Sequence, residues 1–89
     1  MQRIEKSDGE RTRLKFVGES GSDGFAEVSF EPMGSLFKLS NDDWIELELP
    51  LSAVGRMEFF IWPDGLQVWV PYGEDYRVLD STGAVIDRL

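Results

Sequence analysis

Along most of this chain apolar and polar residues alternate with a period of two, the spacing that lines one face of a β-strand. Between Arg11 and Phe16, the residues Thr12, Leu14 and Phe16 fall on one side and Arg11, Arg13 and Lys15 on the other, as in a half-buried strand. GESGSDG at 18–24 interrupts the pattern with glycine and small polar residues. FAEVSF at 25–30 resumes it, with Ala26, Val28 and Phe30 opposite Glu27 and Ser29. These two runs predict a first hairpin with a long loop. EPMGS at 31–35 is a further break, and LFKL at 36–39 is too short for its period to separate a strand from a helical turn.

WIELEL at 44–49 sets Ile45, Leu47 and Leu49 against Trp44, Glu46 and Glu48 and predicts a strand. PLSAVGR at 50–56 has room for one helical turn, stopped by Gly55. YRVLDSTGAVIDR at 76–88 predicts a tight hairpin in which Asp80 folds onto its own backbone and Gly83 takes a positive φ. A Ser81-Thr82-Gly83 loop would set Leu79 opposite Val85 and Arg77 opposite Asp87. No window sustains a helical period over ten or so residues, and no internal repeat or heptad is present. The elements predict an all-β fold: a single small domain of six or seven antiparallel strands, a meander closing into a barrel or a two-layer sandwich. That domain is expected to span residues 11–89, behind a flexible N-terminal arm at 1–10.

FFIWPDGLQVWVP at 59–71 departs from the alternation, because it carries large apolar side chains on both faces. A three-residue loop, Pro63-Asp64-Gly65, makes a type I turn with Gly65 in the left-handed region and sets Trp62 opposite Leu66. One face then holds Phe60, Trp62, Leu66, Val68 and Val70 with Glu58, and the other Met57, Phe59, Ile61 and Trp69 with Gln67. A two-residue loop would instead gather Met57, Phe59, Ile61, Leu66, Val68 and Val70 on one face, but its type I turn would splay the strands, so turn chemistry favours the longer loop. In either register no face is polar, which predicts a hairpin covered on both sides. The first cover is a core built with Leu14, Phe16, Val28, Phe30, Ile45 and Leu47. The second is either more of the same chain or another molecule, since an uncovered aromatic face is large for a monomer.

Composition narrows the chemistry. The chain has no cysteine and no histidine, which removes thiolate nucleophiles, disulfides, the commonest zinc ligands and the side chain that titrates near neutral pH. The serines lack a base, and neither the acidic pairs Asp42-Asp43 and Glu74-Asp75 nor ESGSDG at 19–24 has the ligand series of a calcium loop. No catalytic residue, cofactor or metal is expected. With no apolar run long enough to span a membrane and no apolar stretch near the N-terminus, the chain reads as cytoplasmic.

The net charge is −8, and of nine basic residues five (Arg3, Lys6, Arg11, Arg13, Lys15) precede residue 18, leaving four against fourteen acidic residues in the rest. Such a balance argues against direct contact with nucleic acid and for a basic partner. The Arg11, Arg13, Lys15 stripe is expected to face acidic neighbours such as Glu27 and Glu31 across a strand pair. Trp44, Glu46 and Glu48 present evenly spaced carboxylates on a sheet. On the hairpin, Trp62 and Trp69 are rimmed by Glu58, Asp64, Glu74 and Asp75, the composition of a protein-binding surface. The functional expectation is a non-enzymatic binding protein that occludes a basic or partly apolar surface of a partner, as an inhibitor or immunity-type protein does, through these nine residues, with the carboxylates of the sheet mimicking nucleic-acid charge. Its rival is an assembly domain that homo-oligomerises, or docks on a larger subunit, through the aromatic hairpin.

Overall fold

A computed structural model describes residues 9–19, 24–63 and 65–89. Most of the predicted arm, at 1–8, and Asp64 of the predicted turn lie outside the described residues. Eight strands are present among the described ones, more than the six or seven expected: β1 (Arg11–Val17), β2 (Ala26–Glu31), β3 (Ser35–Leu39), β4 (Trp44–Pro50), β5 (Glu58–Trp62), β6 (Gly65–Trp69), β7 (Arg77–Leu79) and β8 (Val85–Arg88). A 3-10 helix, Leu51–Arg56, follows β4 at the position of the predicted helical turn.

The strands form two four-stranded sheets in the orders β1-β4-β7-β8 and β3-β2-β6-β5. The architecture is therefore the two-layer alternative and not a closed barrel. It is also not a meander. β1 pairs with β4, in register from Arg11 opposite Pro50 to Val17 opposite Trp44, so the predicted β1–β2 hairpin does not form. β2 instead pairs with β3 and, in parallel, with β6. Alternation in the sequence marks which residues face inward, but the partner of a strand is chosen by how the whole set of apolar faces can be buried together.

Those faces meet in one core. Sheet one contributes Ile45, Leu47, Leu49 and Val78, and sheet two contributes Val28, Phe30, Leu39 and Val68, with Ala53 of the 3-10 helix, Val70 and Tyr76 completing the cluster. Phe30, fully buried, stands edge-on to Phe16 at 5.7 Å and to Phe37 at 5.8 Å between ring centroids. All six residues expected to cover the hairpin from inside are there, Leu14 and Phe16 partly buried.

Two registers differ from expectation. In the last hairpin Leu79 does oppose Val85, the Asp80 N–H donates to the Ala84 carbonyl, and Gly83 has φ +90°. A bulge then inserts one residue, so Val78 opposes Asp87 and Arg77 opposes Arg88 instead of Asp87. In the aromatic hairpin Trp62 opposes Gly65, and only residues 63 and 64 form the loop. Gly65 is not among the glycines with positive φ. It serves a close approach: a Cβ placed there would lie 2.8 Å from Trp62 Nε1 and 3.0 Å from the Glu27 carbonyl oxygen. The register obeys the core. It places Phe59 and Ile61 on the same face as Leu66 and Val68, which stand opposite Val28 and Phe30 in the parallel pair.

Candidate functional site

The nine predicted site residues divide between opposite sides of the sandwich. Trp44, Glu46 and Glu48 lie on the outer face of the first sheet, since Ile45, Leu47 and Leu49 between them point into the core. β1 runs alongside and sets Arg13 opposite Glu48 and Lys15 opposite Glu46, so the basic stripe meets these carboxylates and not Glu27 and Glu31. Glu48 is ion-paired with Arg11 and Arg13 at 3.7 Å and with Arg77 at 3.4 Å, and its side chain is only 17% exposed. Glu46 is paired with Arg13 at 3.7 Å, and the Lys15 ammonium sits 4.3 Å from the centroid of the Trp44 ring. The acidic stripe is thereby matched within its own sheet by an equally regular basic one.

Glu74 and Asp75 lie in the loop between β6 and β7, where each is also engaged: Glu74 with Arg56 at 3.4 Å and Asp75 with Arg77 at 3.4 Å. The Asp75 carbonyl accepts a hydrogen bond from Arg11 at 2.7 Å. Tyr76, next in the chain, is buried and donates its hydroxyl to the Pro71 carbonyl. Burial pushes its phenol pKa up, and the neighbouring Glu74 adds to this, against a smaller opposing effect of Arg56. A phenol so held stays protonated and fixes the loop.

Glu58, Trp62 and Trp69 share the outer face of the second sheet with Phe60 and Gln67. Trp69 donates its indole N–H to Gln67 Oε1 at 2.8 Å. Glu58 makes no ion pair among the described residues. Asp64 lies outside the described residues. The expectation that the hairpin is covered on both sides fails: on the outer face Trp69 of β6 is itself exposed, and on β5 neither face is covered. β5 closes the end of its sheet, and every one of its residues is exposed. Phe59 is 48% exposed, Phe60 49%, Ile61 81% and Trp62 44%. Phe59 and Ile61 face the inner side, Phe60 and Trp62 the outer, and none of the four belongs to the core.

Phe59, Phe60 and Ile61 are the residues that the sequence reading left off the site. A signal for them exists: four consecutive large apolar residues with no basic residue among them. The other three sheet edges differ. β1 carries Arg11, Arg13 and Lys15, β3 carries Lys38, and β8 is a four-residue strand with Asp87 and Arg88 beside a bulge. Charges and bulges at edges are the usual protection against pairing with a foreign strand, and β5 has only Glu58 at its start.

An open cleft of about 440 Å³ lies between Lys15, Phe16, Phe25, Val28, Trp62 and Leu66. Trp62 lines it and Trp69 does not. Among the described residues there is no cluster of metal-ligating side chains, and no helix is long and apolar enough to cross a membrane. No protein-family model, curated protein or solved structure matches the chain.

Proposed function

We propose that this chain is a non-enzymatic protein-interaction domain whose contact surface is the β5 edge of the aromatic hairpin. The observation that carries the reading is the exposure of Phe59, Phe60, Ile61 and Trp62 on both faces of a strand that also has a free edge. A surface recognised through one face only would leave two of these side chains in water. A strand added alongside β5 meets all four, because cross-strand neighbours lie on both sides of a sheet. The backbone contributes as well, since along an antiparallel edge alternate residues turn their N–H and C=O groups outward.

The acidic stripe is the weaker candidate for the working surface. Its carboxylates at Glu46 and Glu48 are held by Arg11, Arg13 and Arg77, and a basic partner would have to displace those arginines. Two single substitutions test the choice. Ile61→Lys puts a charge on the free edge and is expected to abolish binding of the partner while the far-ultraviolet dichroism and melting temperature stay unchanged. Glu46→Gln removes one carboxylate from the stripe and is expected to leave binding intact. Loss of binding in Glu46→Gln with normal binding in Ile61→Lys would overturn the proposal in favour of the acidic face.

A further inference from the structure

We infer that the occupant of the β5 edge is β5 of a second copy of this chain, paired antiparallel about a two-fold axis through Phe60. This inference rests on the reading of β5 as the interaction surface and names its partner. A two-fold perpendicular to a sheet keeps the faces of paired residues matched, so the residue on the axis opposes itself and the others pair symmetrically about it. Centring on Phe60 uses the whole strand: Phe60 meets Phe60 of the second copy, Phe59 meets Ile61, and Glu58 meets Trp62. The only charge in β5 thus faces an indole and not its own like, at each end of the paired region. On the inner side two copies of Phe59 and Ile61 come together, and on the outer side two of Phe60 and Trp62, so each copy covers what the other exposes.

The assembly also closes. Joining the second sheets edge to edge gives the order β3-β2-β6-β5-β5-β6-β2-β3, in which both aromatic edges are consumed and the outermost strands are β3, each with its Lys38. Growth stops at two. Four large side chains about half exposed or more offer on the order of 400 Å² per copy, and a contact of roughly twice that total sits at the weak, reversible end of protein interfaces. Each copy carries a net charge of −8, so salt, by screening the repulsion between copies, is expected to strengthen the dimer. A charge-driven complex with a basic partner would weaken instead.

Sedimentation equilibrium across a hundredfold range of concentration is the first measurement. A monomer–dimer equilibrium that tightens with salt, and weakens at least tenfold in Ile61→Lys, supports the inference. Register is tested by cysteine cross-linking, which the absence of native cysteine makes clean. Phe60→Cys is expected to form a disulfide-linked dimer on mild oxidation, because directly opposed residues have Cα atoms about 4.5–5.5 Å apart. Glu58→Cys alone is expected not to, while a mixture of Glu58→Cys and Trp62→Cys yields the mixed dimer. A dimer that survives Ile61→Lys, or one in which Phe60→Cys stays reduced, overturns the inference. If the wild type is monomeric throughout, self-pairing is wrong. An Ile61-dependent complex with a different protein would then leave the β5 surface standing, and no Ile61-dependent complex of either kind would remove both readings.

Discussion

β5 and β6 are the two arms of one hairpin, five residues each, built from the same aromatic and aliphatic stock. Their fates differ. β6 lies between β2 and β5, buries Val68 completely and packs Leu66 against the core, whereas β5 has one neighbour and buries nothing. Apolar character did not decide which arm became core, since β5 is the more uniformly apolar. Position in the sheet decided it. A strand with partners on both sides is held over the opposing sheet, and a terminal strand of the same composition overhangs it.

The sharpest test of that contrast places a charge in each arm. Val68→Asp puts a carboxylate into the packed core with no partner and is expected to cost about 3–5 kcal/mol or more, enough to unfold a small domain. Equilibrium denaturation, or loss of soluble folded protein, would register it. Gly65→Val acts at the junction between the arms, where the new side chain meets the Trp62 indole and the Glu27 carbonyl. The expected loss is about 1–3 kcal/mol, seen as a lower denaturation midpoint. Ile61→Lys is expected to change stability by less than about 0.5 kcal/mol in the same assay. A large loss in dilute protein, where the monomer dominates, would mean that β5 is packed within its own chain and would erase the contrast.

The last hairpin supplies the smallest effect and a reference for a turn that depends on one carboxylate. The Thr82 hydroxyl donates to Asp80 Oδ1 at 2.6 Å, and the N–H groups of Thr82 and Ala84 donate to the same oxygen at 2.9 and 3.1 Å. The Thr82 hydroxyl is the largest cause that holds the Asp80 carboxyl below its ordinary value; desolvation opposes it, and the backbone N–H groups of Thr82, Ala84 and Gly83 add to the lowering. A carboxyl depressed by folding stabilises the native state above its unfolded pKa and loses that contribution as pH falls through the folded value. Asp80→Asn is therefore expected to flatten slightly the acid limb of the stability profile, measured by thermal melts from neutral to low pH. Asp80 belongs to neither arm of the aromatic hairpin, so Ile61→Lys should leave that limb unchanged.

The inward faces were legible in the sequence because period-two alternation is a local property. Leu14, Phe16, Val28, Phe30, Ile45 and Leu47 all lie where it puts them. Pairing was not legible. Nothing near Arg11 indicates that its strand will lie against Glu48 and not against Glu27, since the choice depends on residues nearly forty positions away. The aromatic register failed for a related reason: turn chemistry at Pro63 and Gly65 favoured a longer loop, but the faces of Leu66 and Val68 were already committed to β2. The bulge between Val78 and Leu79 is an insertion that no alternation announces. Of the candidate site, Trp62 was found by its type. Phe59, Phe60 and Ile61 were passed over because a strand buried on both faces and an uncovered edge strand share one composition.

The parallel ladder between β2 and β6 joins Glu27 to Gly65 and Glu31 to Trp69. Every antiparallel ladder of the second sheet can zip from a nearby turn, β2 with β3 and β5 with β6, but this central one must wait until the chain has crossed into the first sheet through β4 and returned through the 3-10 helix. Closing so long a loop is slow, and the sheet is expected to mature from its margins inward. During that interval two preformed hairpins coexist with the ladder between them unmade. Pulse-labelled amide exchange during refolding should accordingly protect the β6 amides that face β5 before those that face β2.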